Sequence, residues 1–176
     1  MINCIIYQSL HSGNQGLAIT LPLWSLSEHL KSDDRQVTEA LALAHAITAI
    51  LKHHTGTLSA MCGCVVCAGI GLAAGASRLM GVSIESISAA INHMVGSITG
   101  IICDGAKVGC ALKLVCGVDS ALQAAMIACH GVSLPSTNGV LGDTIEESLR
   151  NVGKIAAPGM LPTDDQILEI MMGKPS

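Results

Sequence analysis

Phenylalanine is absent from this 176-residue sequence, and Trp24 and Tyr7 are its single tryptophan and single tyrosine. That excludes a core built on paired rings, and it excludes the aromatic platforms on which single-stranded nucleic acid stacks. Positive charge is scarce as well. Nine Lys and Arg face thirteen Asp and Glu, for a net charge of −4, and no basic run occurs. Without a basic stripe there is no electrostatic footprint for a phosphate backbone, so no nucleic-acid partner is expected. The first ten residues lack both the basic start and the apolar stretch of a secretory signal, and a cytoplasmic location is expected.

What the sequence does have is small and apolar. Half of it is hydrophobic, supplied by Ala, Leu, Ile, Met and Cys, with 19 Gly among them. Small residues let helix backbones approach closely, whereas sheets favour β-branched and aromatic residues. Period-two alternation is almost missing. We therefore expect an all-α fold: a single compact domain of about six to seven helices around a central, buried Gly/Ala-rich helix. A loop at residues 12–16 precedes an apolar run to Leu30, in which Pro22 starts or kinks a helix. Asp33 and Asp34 suit the amino-terminal cap of a helix through His54 that stops at Gly56. Val37, Leu41, Ala44, Ile47 and Leu51 form its apolar face. Further helices are expected at residues 59–79, at 84–98 behind a Ser83 cap, and at 106–130 after a turn at 100–105. A loop at 131–142 follows, then a helix at 143–155 and a last one opened by a Thr163/Gln166 capping box.

Residues 55–77 carry no charge and are long enough to cross a bilayer. They are built from Gly, Ala, Cys, Ser and Thr, with no Trp or Tyr at either end. A membrane span would show an interfacial aromatic belt, so a buried central helix is the better reading and a small-residue membrane bundle the lesser one.

Eight cysteines remain to be explained: Cys4, Cys62, Cys64, Cys67, Cys103, Cys110, Cys116 and Cys129. Without export a disulfide framework is not expected, and metal or cluster ligation gains weight. The competing expectation is that most are small buried hydrophobes. Cys103 falls in a turn and Cys110 about one helical turn into the helix that follows, with Gly100, Gly105 and Gly109 leaving room. A helix amino terminus there favours thiolates. Two core thiols flanking a turn would give the same spacing. On a helix, Cys64 and Cys67 share a face that Cys62 does not, so the three would not serve one site. The Cys64/Cys67 pair lacks the preceding strand of a thioredoxin-like redox motif.

Four segments in order then become recognisable: SGNQG (residues 12–16), LSAMC (58–62), GIICDGAKVGCALK (100–113) and TDDQILEIMM (163–172). From Ser12 to the end the chain resembles the L-cysteine desulfidase family, relatives of the α-chain of iron–sulfur L-serine dehydratases. Residues 1–11 read as a non-matching leader, and 12–176 as the cluster-binding domain. The resemblance implies a [4Fe–4S] cluster held by Cys62, Cys103 and Cys110, with one iron left open as a Lewis acid. It implies β-elimination from L-cysteine or L-serine without pyridoxal phosphate. Ser12, Gly13, Asn14 and Gln15 would help hold the amino-acid substrate, by amide groups suited to a carboxylate. Lys113 is a weak catalytic candidate; Asp104 reads as a cap; His45, His53, His54 and His93 are bases only in principle. Cys4, Cys64, Cys67, Cys116 and Cys129 read as packing.

Family members are more than twice as long, and the part without a counterpart here carries a Gly-Cys-Thr-Glu-Pro motif. The expectation is a truncated or split product, which requires an amino-terminal half or pairs with itself through an apolar face. An inert helical remnant without cluster is the alternative.

Overall fold

The computed structural model describes residues 13–56 and 59–174, and every described element is helical apart from one isolated antiparallel bridge. Seven α-helices follow in order: α1 (Gly13–Leu30), α2 (Asp34–Thr55), α3 (Val66–Leu79), α4 (Ile84–Ile98), α5 (Gly109–Cys129), α6 (Ile145–Lys154) and α7 (Leu161–Met172). The all-α expectation holds. The leader, Ser12 and Leu58 lie outside the described residues.

The helix α3 is the centre. Thirteen of its fourteen residues are buried, Arg78 excepted, and it packs against α1, α2, α4 and α5. Its glycines explain how closely the neighbours approach. A Cβ on Gly71 would lie 2.4 Å from the Ala44 carbonyl oxygen and 2.2 Å from Thr48 Oγ1, so α2 rests on bare backbone there. The stripe of α2 that faces α3 is accordingly Ala40, Ala44, Thr48, Leu51 and Thr55, while Val37, Leu41 and Ile47 flank it half-buried. The Thr48 hydroxyl lies 2.8 Å from the Ala44 carbonyl and 3.3 Å from that of Cys67, one donor serving both helices. On the other side a Cβ on Gly117 of α5 would lie 2.9 Å from Val65 Cγ1.

Local signals set several helix ends. Asp33 Oδ1 accepts from the Gln36 N–H, while the Gln36 side chain accepts from the Asp33 N–H, a complete capping box. Ser83 caps α4 through the Ser86 N–H. Other expectations need correction. Residues 13–16 are not a loop but the first turn of α1, and Pro22 lies inside that helix. The third helix begins at Val66, not at residue 59, because residues 60–62 are pulled into pairing with 101–103. The fifth begins at Gly109 rather than 106. Thr163 does not cap α7, which opens at Leu161 with Pro162 in its first turn.

Candidate functional site

The bridge between Met61 and Ile102 is what builds the site. On either side of it the Cys62 N–H donates to the Ile101 carbonyl (2.9 Å) and the Cys103 N–H to the Ala60 carbonyl (2.6 Å). Side chains alternate along paired extended backbone. Cys62 and Cys103 each sit one residue from the Met61–Ile102 pair, so both are carried to the face opposite that pair. Cys103 is near enough to act electrostatically on the Cys62 thiol. The antiparallel clamp joins segments that the sequence alone reads as a helix start and a turn.

Cys110 arrives from the first turn of α5. Its thiol donates to the Gly105 carbonyl (3.2 Å), and Gly105 adopts a φ of +88°, a conformation suited to glycine. Lys113, one turn on, ties the arrangement together. Its ammonium donates to the Ile102 carbonyl (3.2 Å) and forms an ion pair with Asp104. The Asp104 carboxylate holds the Lys113 pKa above the ordinary lysine value, and Cys62 and Cys110 act in the same direction. Reciprocally, the hydrogen bond from Lys113 holds the Asp104 carboxyl below its ordinary range. Asp104 is therefore not the cap of α5, whose N-cap is Val108 with no side-chain cap bond; its carboxylate instead anchors the lysine that faces Cys62 and Cys110.

Burial pushes the Cys62 thiol up, against the opposing pull of the Val65 and Cys64 backbone N–H groups that face its sulfur. Those N–H groups belong to the turn that opens α3, where the Cys62 carbonyl accepts from Val65 (3.1 Å) and Val66 (2.8 Å). The SGNQG segment comes to the same turn: a Cβ on Gly63 would meet Gln15 Nε2 at 2.8 Å and Lys52 Nζ at 3.8 Å. Gln15 is buried, while Asn14 is exposed on the first turn of α1. The first N–H groups of that helix have no partner within it, an arrangement that suits a carboxylate. Lys52, from the last turn of α2, had no motif to single it out. Only packing brings it beside Gly63 and Gln15.

The histidines find their partners elsewhere. His93 Nδ1 lies 3.4 Å from the Ala124 carbonyl, the His53 and His54 rings meet edge to face, and His54 packs on Gly153. Burial lowers the pKa of His45. The expectation that most cysteines are buried is not met: Cys62 and Cys67 are, while Cys116 and Cys129 are exposed and Cys64, Cys103 and Cys110 are intermediate. Cys67 sits 3.7 Å from Thr55 Oγ1, and Cys129 donates to Met80 Sδ at 3.4 Å. Cys4 lies outside the described residues.

Among the described residues no three His, Cys, Asp or Glu groups approach closely enough to hold a single metal ion. A four-iron cluster separates its thiolates more widely than one ion does. Cys62 and Cys110 beside the Lys113 ammonium, with Cys103 near Cys62 and backbone N–H groups facing the Cys62 sulfur, are a donor set that fits an anionic thiolate cluster better than a lone cation.

Residues 2–169 match the serine dehydratase alpha chain family. The match begins ahead of Ser12 and takes in most of the stretch set apart above as a leader. A UPF0597 protein of Desulfotalea psychrophila is 42% identical over 173 residues, 98% of this chain and 40% of that protein. One from Clostridium tetani is 43% identical over 169 residues, covering 96% of this chain and 40% of the relative. For Clostridioides difficile the figures are 41% over 166 residues, 94% and 39%. The chain therefore spans about 40% of the length of the relatives it matches. No solved structure matches it.

Proposed function

We propose, since this chain belongs to the serine dehydratase alpha chain family, that it is the iron–sulfur-binding part of a cytoplasmic amino-acid lyase of the L-cysteine desulfidase or L-serine dehydratase type. The reaction is elimination of hydrogen sulfide from L-cysteine, or of water from L-serine, giving pyruvate and ammonia. The observation that carries the reading is the clamp at Met61–Ile102, which sets Cys62 and Cys103 on one face beside the Cys110–Lys113 turn.

Cys62, Cys103 and Cys110 would hold a [4Fe–4S] cluster. Such a group supplies, when bound, a Lewis-acid position for the substrate's carboxylate and leaving group. The chain's own residues do the rest of what is available here. Lys113, kept charged by Asp104, offers a fixed cation to anionic thiolates and to a carboxylate. Held so, it is a poor base for the α-proton. Gln15 and the amino-terminal amides of α1, at Gly13 and Asn14, offer hydrogen-bond donors on the neighbouring side. No pyridoxal phosphate takes part in this scheme.

A positioned base contributes about 10²–10⁴-fold, and among the described residues His53, His54 and His93 make their contacts away from the thiols. We assign the base to the portion of the relatives' length that this chain does not span. Its docking surface would be the exposed apolar side of α5, where Val108, Leu112 and Val115 are 93%, 72% and 65% exposed beside Cys110. That helix, rather than residues 55–77, is long and apolar enough to cross a membrane. Asp119 lies exposed on its outer side and bonds only to Gln123 of the same helix, which favours a protein cover over lipid.

The test is anaerobic reconstitution with iron and sulfide, followed by iron counting and absorption spectroscopy. We expect about four irons per chain, lost in Cys62→Ser, Cys103→Ser and Cys110→Ser and kept in Cys64→Ser and Cys116→Ser, because a ligand must be a thiolate. Equal loss in all five, or no iron in the parent chain, would remove the cluster reading and leave an inert helical domain.

A further inference from the structure

We propose that the cleft between the 102–107 loop and α7 binds a free α-amino acid with an aliphatic or thioether side chain. Its volume, about 470 Å³, falls within the range of small-molecule sites. Ile102, Asp104 and Lys107 form one wall; Ile167, Ile170, Met171 and Lys174 form the other. None of the three candidate ligand thiols lines it. Along the extended backbone Ile102 and Asp104 face the cleft and Cys103, between them, does not, so the cleft lies on the reverse side of the thiol face.

The lining has three kinds of chemistry, matching the three parts of such a ligand. Lys107 and Lys174 are exposed ammonium groups without a carboxylate of their own in the cleft apart from Asp104, and they suit the ligand's carboxylate. Asp104 is the single anion and suits its ammonium. Ile167, Ile170 and Met171 form an apolar wall, with Ile170 63% exposed, that an aliphatic chain would cover. A fatty acid would leave Asp104 to Lys113 alone, and a diamine would leave Lys107 and Lys174 unmatched. Asp104 also pairs with Lys113, the lysine facing Cys62 and Cys110. A ligand ammonium would share that carboxylate, which links occupancy of the cleft to the other side of the loop. This site goes beyond the lyase reading and does not require a cluster.

Isothermal titration calorimetry on the full, iron-free chain tests it, with L-leucine and L-methionine as probes. One saturable site is expected for both, with 4-methylpentanoate and 3-methylbutylamine, each lacking one charged group, at least about tenfold weaker, the worth of a charge-assisted hydrogen bond. Lys107→Ala combined with Lys174→Ala should weaken L-leucine by at least about tenfold, as should Ile170→Asp, with helix content by circular dichroism unchanged. Lys154→Ala, on α6, should bind like the parent. Binding that persists when Cys62, Cys103 and Cys110 are all Ser keeps the site on the reverse face. Loss of binding in that triple variant, equal affinity in the double lysine variant, or no saturable heat would overturn the assignment. Failure of iron reconstitution would leave it standing.

Discussion

The helices α3 and α5 are made of much the same residues and meet opposite fates. All of α3 except Arg78 is buried. In α5 only Gly117, Ala121, Ala124, Ala125 and Ala128 are, and Leu112, Val115, Met126 and Ile127 look outward. An ordinary surface helix puts its large apolar side chains inward. Here every fully buried position is Gly or Ala, and Leu114, Val118 and Leu122 pack against the core only at its margin, because α3 and α4 approach α5 so closely that only Gly and Ala fit directly between. Composition therefore sets how near a helix can come to its neighbours, and the neighbours set whether its larger side chains are covered.

The largest expected effect strikes the closest contact. Gly71→Ala would drive a methyl into the Ala44 carbonyl and the Thr48 hydroxyl, and backbone cannot swing aside. Its cost should reach about 3 kcal/mol or more, read as a steep fall in Tm or insolubility. If Gly71→Ala kept its Tm, the account of α3 as the tightly held centre would fail. Gly117→Ala, on the buried side of α5, meets Val65 alone, its Cγ1 at 2.9 Å and its Cα at 3.4 Å. Val65 can give way in part, so about 1–2 kcal/mol is expected from a urea titration. On the outer side of α5, Leu112→Ser with Val115→Ser should change stability by no more than about 0.5 kcal/mol each while reducing self-association in light scattering. A large destabilisation there would mean that this face is already packed.

Smallest is the effect of pH on the pair that holds the start of α5 to the loop. Asp104 has a depressed pKa, so the pair is intact above the usual carboxylate range and is lost only as pH falls through the lowered value. Lys113 has a raised pKa, so the pair persists below the usual lysine range, about 10.4, and is lost as pH rises through the raised value. Nuclear magnetic resonance of the Asp104 side chain should show no titration between about pH 5 and 10, whereas a midpoint in the ordinary aspartate range would break the pair.

The central helix could be read from the sequence, because a run that is apolar on every side has nowhere to go but inward. So could the ends set by chemistry within one turn, at Asp33, Ser83 and Gly56, the last with a φ of +76°. The starts of α1, α3 and α7 could not. Residues 59–65 have helical composition, yet the backbone of residues 60–62 pairs with residues some forty positions away, and no local pattern encodes that. Pro162 displaced the expected Thr163 cap by fitting the first turn better. Lys113 was visible as part of a motif, but its hold on Asp104 was not, and Lys52 carried no signal. The exposure of Cys116 has no local signal either, because it is an apolar residue on an apolar helix.

The clamp at Met61–Ile102 also fixes when the thiols can meet. Cys62 and Cys103 are about forty residues apart, and closing such a loop costs about 3 kcal/mol of chain entropy. The intervening α3 and α4 must form and pack before that closure is offset. Iron would then be captured by a chain already folded, unlike a zinc finger, where the metal drives folding. Chelation should strip the iron and leave the helical spectrum in place, and refolding should proceed at the same rate with or without metal in the buffer.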